Sequence, residues 1–366
     1  MRPGWSCAWG GILQSFPAAN NPQRSSFNRA WRPSIIGRRG SNTKTGTMVG
    51  KIKKSPHQED YSFDLAKVFA SVVSVRTHIS EDAHTAPILG TERGGNGIVI
   101  RDEGVVLTIG YLVTEAETIW LTDHAGNAVQ GDVLGYDQET GFGLIQALGR
   151  LDAKAIKIGK SSTVREGDPV MLAGFGGRTS SINAEVIAVR EFAGYWEYLL
   201  DDAIFTSPAH PNWGGVGLIG PSGELLGIGS LFIQHDGADG EAVDGNMVVP
   251  IDLLAPIYDE MVTLGRPSKK PRPWMGLFGT EDEDRVVVAA LTEDGPADQA
   301  EVEVGDIVLT VAGQPVNSLA DMFRKVWSLG HAGIEVPMAL DRDGEIIQVS
   351  IETIARSALL KGPKLH

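Results

Sequence analysis

Short apolar runs separated by glycine and aspartate turns constrain the fold of this chain more than any other feature of its sequence. A Gly-Gly-Asn-Gly turn at residues 94–97 precedes the apolar run 98–100, and Asp-Glu-Gly at 102–104 leads into the next run, 105–108. Short strands at such regular spacing are typical of an antiparallel barrel and not of a parallel α/β sheet. The sequence therefore predicts a mainly β protein.

Length and composition agree with a globular protein of several domains. A chain of 366 residues has room for two or three domains, and 42% hydrophobic residues suffice for sizeable cores. Because Cys7 is the one cysteine, no intrachain disulfide can form. No group of residues has the spacing of a metal site, so we expect neither a metal nor another cofactor.

Charge is distributed unevenly along the chain. Residues 1–58 contain no acidic residue but ten lysines and arginines, which leaves 22 of the 32 basic residues to face all 46 acidic residues in the remainder. The remainder therefore carries a net charge of −24. An acidic body of this kind argues against nucleic acid or an anionic membrane as the main partner.

The basic leader, residues 1–58, lacks a sustained apolar run and is predicted to be disordered. Polar residues and glycines interrupt the segment 4–16, so a signal peptide is not supported, and the compartment is cytoplasmic by default. Two alternatives remain open: an organellar transit peptide, or a true first residue at Met48. No apolar stretch reaches the roughly 18 residues of a membrane span, so none is expected.

The stretch 206–229 contains the turn Pro-Asn-Trp-Gly-Gly at 211–215, which is followed by two apolar runs around the turn 221–224. This order resembles the nucleophile loop of the HtrA/Deg family of trypsin-like serine peptidases, where Gly-Asn-Ser-Gly-Gly precedes the same strands. Trp213 then stands at the serine position, and its indole offers no nucleophilic lone pair. Pro211 would remove one of the two oxyanion N–H groups, or a one-residue gap would delete the glycine instead.

The other two catalytic positions are also substituted under this resemblance. The segment 107–113, Leu-Thr-Ile-Gly-Tyr-Leu-Val, places Tyr111 at the histidine position of the family, and the segment 133–146 places Gly141 at the aspartate position. Tyrosine is a poor base at neutral pH, and glycine has no side chain that could orient an imidazole. We therefore expect no catalytic residue, and we expect the indole of Trp213 to lie over the former cleft near Tyr111.

A displaced active site is the alternative to an inactive one. Ser207 with His210, or Ser230 with His235 and Asp236, would supply the residue types, although a triad is recognised by geometry that the sequence does not give. The chain would then be a serine endopeptidase of protein quality control. Our interpretation instead treats His124, His210 and His235 as ordinary surface or loop histidines.

The C-terminal part resembles the PDZ domain of the same family. Trp274, Met275, Gly276 and Leu277 match its carboxylate-binding loop, whose successive N–H groups hold a chain end while the bound peptide adds a strand along 277–280. Further matches cover 295–297, 304–308, 313–316 and the capping box 318–321; Glu301 stands where the family has glycine. Met322, Lys325 and Val326 would line the pocket. The alternative is that the loop merely packs against the barrel.

The resemblance covers residues 61–355 and gives the domain organisation. We expect a leader at 1–58, a trypsin-like double antiparallel β-barrel at 61–262, a linker at 263–273, a small α+β PDZ domain at 274–356 and a tail at 357–366. A helix is predicted at 251–264, and a mobile acidic loop at 235–246. Tyr61 and Phe63 are candidates for trimer contacts, or else pack on the first barrel.

Together these observations predict a catalytically inactive homologue that acts as a scaffold, chaperone or regulator. Its partners would be peptides or protein C-termini at the PDZ groove. A homo-oligomer, with a trimer as the form typical of the family, and a periplasmic location are what the resemblance implies.

Overall fold

A computed structural model of the chain describes residues 5–6, 55–236 and 241–361. The predicted leader falls outside this range except for 55–58 and the two-residue strand β1, Trp5–Ser6. Residues 362–366 of the predicted tail lie outside it as well. Within the described part, strands dominate and form two barrels and a separate C-terminal sheet.

The first barrel is closed by six antiparallel strands in the order β2-β3-β4-β7-β6-β5. Both β4 and β7 are almost wholly buried, which explains why their sequences read as continuous apolar runs. The strands are β2 Val72–Ile79, β3 Glu92–Arg101, β4 Val105–Ile109, β5 Ala116–Thr122, β6 Ala128–Tyr136 and β7 Phe142–Ala147. The predicted strands at 98–100, 105–108 and 118–122 are confirmed, with longer ends.

The second barrel contains the next six strands, and the pairing of β12 with β13 closes the ring that runs from β12 through β11, β8, β9 and β10 to β13. Its strands are β8 Pro169–Ala173, β9 Ser181–Gly194, β10 Tyr198–Ser207, β11 Gly217–Ile219, β12 Leu225–Asp236 and β13 Ala242–Pro250. The short β1 pairs with the end of β12. One buried apolar cluster contains residues of both barrels, such as Leu107 and Phe205, so the two pack face to face.

The predicted mobile loop at 235–246 is largely wrong, because β12 and β13 extend into it as a hairpin. His235 pairs with Val243 and Asp236 with Ala242. Residues 237–240, at the tip, lie outside the described part. A two-stranded ribbon satisfies its backbone groups by pairing even when the side chains are polar, and composition alone does not reveal that.

The predicted helix at 251–264 forms as two pieces. A 3₁₀ turn, Ile251–Leu253, is followed by irregular turns and then by a helix at Tyr258–Leu264. Pro256 lies between the pieces; it removes a backbone donor and disfavours helical geometry in the residue before it. Earlier in the chain are two short helices, α1 Leu65–Ala70 and α2 Ala86–Leu89, so the helix Tyr258–Leu264 is α3.

Tyr61 and Phe63, the candidates for trimer contacts, pack within the chain. Their rings lie 5.0 Å apart, and the Tyr61 hydroxyl bonds the side chain of Asn183 at 2.5 Å. Phe63 lies against Gly223 in the turn before β12. Both of these neighbours belong to the second barrel, and both rings also pack against the apolar cluster that the two barrels share.

The C-terminal sheet has the order β14-β15-β16-β18-β19, with β17 beside β16, which leaves β14 at its edge. Its strands are β14 Leu277–Asp282, β15 Arg285–Leu291, β16 Ile307–Val311, β17 Gln314–Pro315, β18 Glu335–Arg342 and β19 Glu345–Glu352; the helices are α4 Pro296–Gln299 and α5 Leu319–Ser328. Ser318 caps α5, because its side chain accepts the N–H of Asp321 at 3.1 Å. The predicted strain at Glu301 is confirmed by its φ of 60°.

Candidate functional site

The loop 211–215 is fastened to the first barrel by one buried amide. The side-chain nitrogen of Asn96 donates to the carbonyl oxygens of Asn212 and Gly214, each at 3.0 Å, and the backbone N–H of Asn96 donates to Gly214 at 2.8 Å. Gly215 must lack a side chain, since an added Cβ would lie 1.9 Å from the Asn96 oxygen. Asn96 is thus a positioning residue that the sequence showed only as part of a turn.

Trp213 and Tyr111, which the sequence predicted to be neighbours, lie side by side. The half-buried indole is close enough to the Tyr111 hydroxyl to lower the pKa of that group, and this hydroxyl donates to the carbonyl of Ser230 at 3.2 Å. The indole also packs against Phe232, with ring centroids 5.6 Å apart. The predicted location of Trp213 beside Tyr111 is confirmed.

The Tyr111 hydroxyl stays protonated in this position. Burial raises its pKa well above the ordinary value, and the nearby indole of Trp213 opposes this rise only in part. The hydroxyl donates its proton in a hydrogen bond to the Ser230 carbonyl. A group of this kind does not accept a proton at neutral pH.

Gly141 lies beside the same segment of the first barrel. Its carbonyl accepts the N–H of Gly110, the residue before Tyr111, at 2.6 Å. Its φ is +80°, and an added Cβ would lie 3.2 Å from the hydroxyl of Tyr198. The structure therefore brings positions 111, 141 and 213 to one place between the barrels, and Tyr198 fills the side from which a residue at 141 would extend.

His210 lies in a loop, one of the two places expected for it, but it is buried there and not at the surface. It is 2% exposed; Nε2 donates to the Ser180 carbonyl at 2.8 Å, and Nδ1 accepts the Asn212 N–H at 3.1 Å. Burial lowers its pKa, against the opposing effect of these two bonds. The neutral ring therefore holds the loop in place, beside an exposed Pro211 that has no N–H.

Ser207 and His210, proposed for a displaced site, are not hydrogen-bonded to each other. The Ser207 hydroxyl donates to the carbonyl of Asp244 at 3.0 Å, while both nitrogens of His210 are engaged elsewhere. Ser230 contacts Tyr111 through its carbonyl, and His235 lies five residues further along β12.

A second candidate site is the groove between β14 and α5 in the C-terminal domain. The predicted peptide-binding residues all lie there, buried around one apolar cluster or in the loop above it: Trp274, Met275, Gly276, Leu277, Met322 and Val326. Lys325 is partly buried and forms an ion pair with Asp321 one turn earlier in the helix. The loop and the edge strand β14 have the arrangement needed to hold a carboxylate and an added strand.

The carboxylate-binding loop already holds a carboxylate of this chain. The Oε1 atom of Glu197 accepts the N–H groups of Met275 at 3.0 Å, Gly276 at 2.9 Å and Leu277 at 3.2 Å. Glu197 belongs to the tip of the β9–β10 hairpin, a part of the second barrel. The loop does meet the barrel, as the alternative interpretation held, but it does so through bonds typical of a ligand.

Further contacts hold the same hairpin against the groove. The carbonyl of Tyr195 accepts the N–H of Gly279 on β14 at 3.0 Å, and the rings of Tyr195 and Phe278 lie 6.1 Å apart. Arg324 on α5 forms ion pairs with Glu191 and Asp201 of the hairpin. Sequence reasoning missed Glu197 and Tyr195, because they lie about eighty residues from the loop and belong to no motif.

Two negative findings apply to the part of the chain that the structure describes. No group of three or more histidine, cysteine, aspartate or glutamate side chains is placed to hold a metal ion. No helix there is both long and apolar enough to span a membrane.

Comparison with protein families identifies both folded parts. The model described as a trypsin-like peptidase domain matches residues 95–228, and the model of the PDZ domain matches residues 273–353. These matches confirm the predicted mainly β architecture, a trypsin-like barrel domain followed by a PDZ domain.

The curated relatives are serine endoproteases. The chain is 26% identical over 268 residues to a probable periplasmic serine endoprotease DegP-like of Pseudomonas fluorescens, covering 69% of this chain and 54% of the relative. It is 24% identical over 277 residues to periplasmic serine endoprotease DegP of Escherichia coli, covering 70% and 56%. The chain thus spans about half the length of these relatives.

A solved structure of the HtrA-type protease AlgW with a decapeptide covers 82% of this chain and 100% of its own, at 19% identity and a TM-score of 0.48.

Proposed function

We propose that this protein binds peptides and does not cleave them. In its chain a trypsin-like peptidase domain precedes a PDZ domain, and its homologues are DegP/HtrA serine endoproteases. It would be a catalytically inactive homologue that acts as a scaffold, chaperone or regulator through its PDZ domain. The observation that carries the proposal is the indole of Trp213, which lies beside Tyr111 where a nucleophile and its base would stand.

Acyl transfer needs three chemical functions that these side chains do not supply. A nucleophile must have a reactive lone pair, a base must take its proton, and a third group must orient the base. Trp213 has no such lone pair, Tyr111 keeps its own proton, and Gly141 has no side chain. Pro211 also lacks the N–H that an oxyanion would use.

Peptide binding is supported by the groove. The loop 274–277 directs three successive N–H groups at one carboxylate oxygen, and β14 beside it is the edge strand of the sheet. This geometry can bind the carboxylate of a chain terminus as well as that of a glutamate side chain, because the anionic group is the same.

The test measures cleavage and active-site labelling in the full chain. Incubation with casein and with a serine-directed phosphonate probe is expected to give neither cleavage nor labelling above a buffer blank. Trp213→Ser is expected to remain inactive, because the members of a triad act as a unit and Tyr111 and Gly141 still supply neither base nor orienter. The comparison variant combines Trp213→Ser with Tyr111→His and Gly141→Asp.

Two outcomes would contradict the proposal of an inactive enzyme. One is labelling of the unaltered chain by the phosphonate probe. The other is casein cleavage by the Trp213→Ser variant alone at a rate near that of an active DegP-type enzyme.

Assembly and location belong to the same proposal. A homo-oligomer, with a trimer as the first form to test, follows from the resemblance, while Tyr61 and Phe63 are engaged within the chain. The relatives are named as periplasmic proteins, and we propose the same compartment for this chain.

A further inference from the structure

The tip of the β9–β10 hairpin occupies the PDZ groove in the manner of a bound peptide. Residues 195–197 connect the strands, since Tyr198 pairs with Gly194. The Glu197 carboxylate lies in the carboxylate-binding loop, and the Tyr195 carbonyl accepts a hydrogen bond from the edge strand β14 at Gly279. Carboxylate capture and strand addition are the two elements of peptide recognition by this kind of groove.

The backbone of Glu197 is strained in a way that serves this contact. Its φ is 60°, in the left-handed region where glycine is the usual residue, and a three-residue hairpin loop commonly has glycine at this position. Glutamate at this position is less stable than glycine would be, and the turn itself does not require a glutamate. The left-handed conformation does, however, direct a carboxylate out of the hairpin and into the loop 274–277.

Other contacts hold the hairpin and the PDZ domain together. Leu199, 9% exposed, belongs to the buried apolar cluster of the PDZ domain that also contains Met322 and Val326. Arg324 bridges Glu191 on β9 and Asp201 on β10. The two ion pairs lie at a half-exposed surface, so they add orientation more than affinity, and the carboxylate contact decides whether the groove is occupied.

We propose that the β9–β10 hairpin is a built-in ligand of the PDZ groove, and that a protein chain end binds only by displacing Glu197 from the loop 274–277. The inference rests on the proposed peptide-binding function and specifies how that site is regulated. A competing chain end replaces the Glu197 carboxylate with its own terminal carboxylate, and it gains affinity from an aromatic side chain that takes the place of Tyr195 beside Phe278.

The need to displace the hairpin lowers the apparent affinity of the groove for peptides. When the groove is open in only a fraction of molecules, the apparent dissociation constant rises by the inverse of that fraction. A hairpin that closes the groove in nine molecules of ten therefore weakens peptide binding by about tenfold. Opening the two domains relative to each other is then coupled to peptide capture, which gives the barrel domain a means of controlling the groove.

The test uses the full chain and two forms of one fluorescein-labelled peptide ending in Tyr-Trp-Val, with a free carboxylate or a terminal amide. Glu197→Gly keeps the turn, because glycine favours the left-handed conformation, and it empties the loop of its carboxylate. The matched control is Glu283→Gly, which removes an exposed glutamate with φ of 57° from the β14–β15 turn. Fluorescence polarisation measures binding, and hydrogen exchange follows the amides of Gly276, Leu277 and Gly279.

We expect Glu197→Gly to bind the carboxylate peptide about tenfold more tightly than the unaltered chain, and the Glu283→Gly control to bind like the unaltered chain. The amide peptide should bind weakly to all three. In the absence of peptide, the amides of Gly276, Leu277 and Gly279 should exchange faster in Glu197→Gly.

Two failures are distinguishable. Equal affinities in the unaltered chain and in Glu197→Gly, or equal exchange rates at the three amides, would overturn the built-in ligand and leave the peptide-binding function standing. Faster exchange in Glu197→Gly with no binding of any peptide would support the built-in ligand and contradict the proposed peptide-binding function.

Discussion

Trp213 is half-buried, and its indole lies beside the hydroxyl of Tyr111 and packs against the ring of Phe232. Truncation of a fully buried tryptophan costs a protein about 3 to 5 kcal/mol of stability. Partial exposure reduces the apolar area withdrawn from water, so the structure supports a smaller loss.

We predict that Trp213→Ala lowers the free energy of unfolding by about 2 kcal/mol, measured by urea denaturation. The matched control is Trp120→Ala, because Trp120 is 49% exposed on β5. That change should cost less than about 1 kcal/mol. Equal losses for the two variants would show that Trp213 makes no specific contribution between the barrels.

Among the elements, helix α5 forms one wall of the PDZ groove and depends on its N-terminal cap. Ser318 accepts the N–H of Asp321, and the Asp321 carboxylate accepts the N–H of Asn317 at 3.0 Å, a reciprocal pair close to the capping box expected from the sequence. The N–H of Leu319 donates to Glu281 on β14 at 2.7 Å, which joins the helix to the other wall of the groove.

Ser318→Ala is expected to cost about 1 kcal/mol of stability, because one N–H of the first turn loses its acceptor. Thermal unfolding followed by circular dichroism measures the loss. Ser328→Ala, at the other end of α5, removes a hydroxyl that donates to the Lys325 carbonyl, and it should be close to neutral. A melting temperature that falls equally in both variants would argue against a specific role for the cap.

At the scale of the whole molecule, the contact between the barrel and the PDZ domain depends on protonation of Glu197. Burial raises the pKa of Glu197 to about 7, although its bonds to backbone N–H groups and the nearby Arg356 guanidinium act in the opposite direction. The loop 274–277 contributes no titratable side chain, and Glu191 and Asp201 of the hairpin are paired with Arg324. Glu197 is therefore the group that titrates at this contact near neutral pH.

The direction of the pH dependence of docking follows from comparing the docked and released states of Glu197. A released glutamate loses its proton near pH 4.3, whereas the docked one keeps it up to about pH 7, so docking weakens as the pH rises through this window and is constant above it. We predict that the peptide affinity of the unaltered chain, relative to that of Glu197→Gln, rises by roughly tenfold between about pH 5 and pH 7.5. A relative affinity that is independent of pH would contradict this assignment.

The sequence by itself determined the local elements and their order. Apolar runs between glycine turns predicted an antiparallel, mainly β protein, and the family resemblance of short motifs added the second barrel, the cap at Ser318 and the strain at Glu301. The interest of positions 111, 141 and 213 came from the family resemblance of short motifs, because residue type at a fixed spacing is a property of the chain. The prediction of one continuous helix at 251–264 was wrong, because Pro256 interrupts it.

Only the tertiary structure decided what these residues contact. The burial of His210, the amide of Asn96 that fastens the loop 211–215, and the packing of Tyr61 on the second barrel all join residues more than twenty positions apart. The occupation of the PDZ loop by Glu197 is the clearest case: it depends on how a hairpin of one domain meets a groove of another. No local periodicity encodes such a meeting, because its energy comes from groups that are neighbours in space and not along the chain.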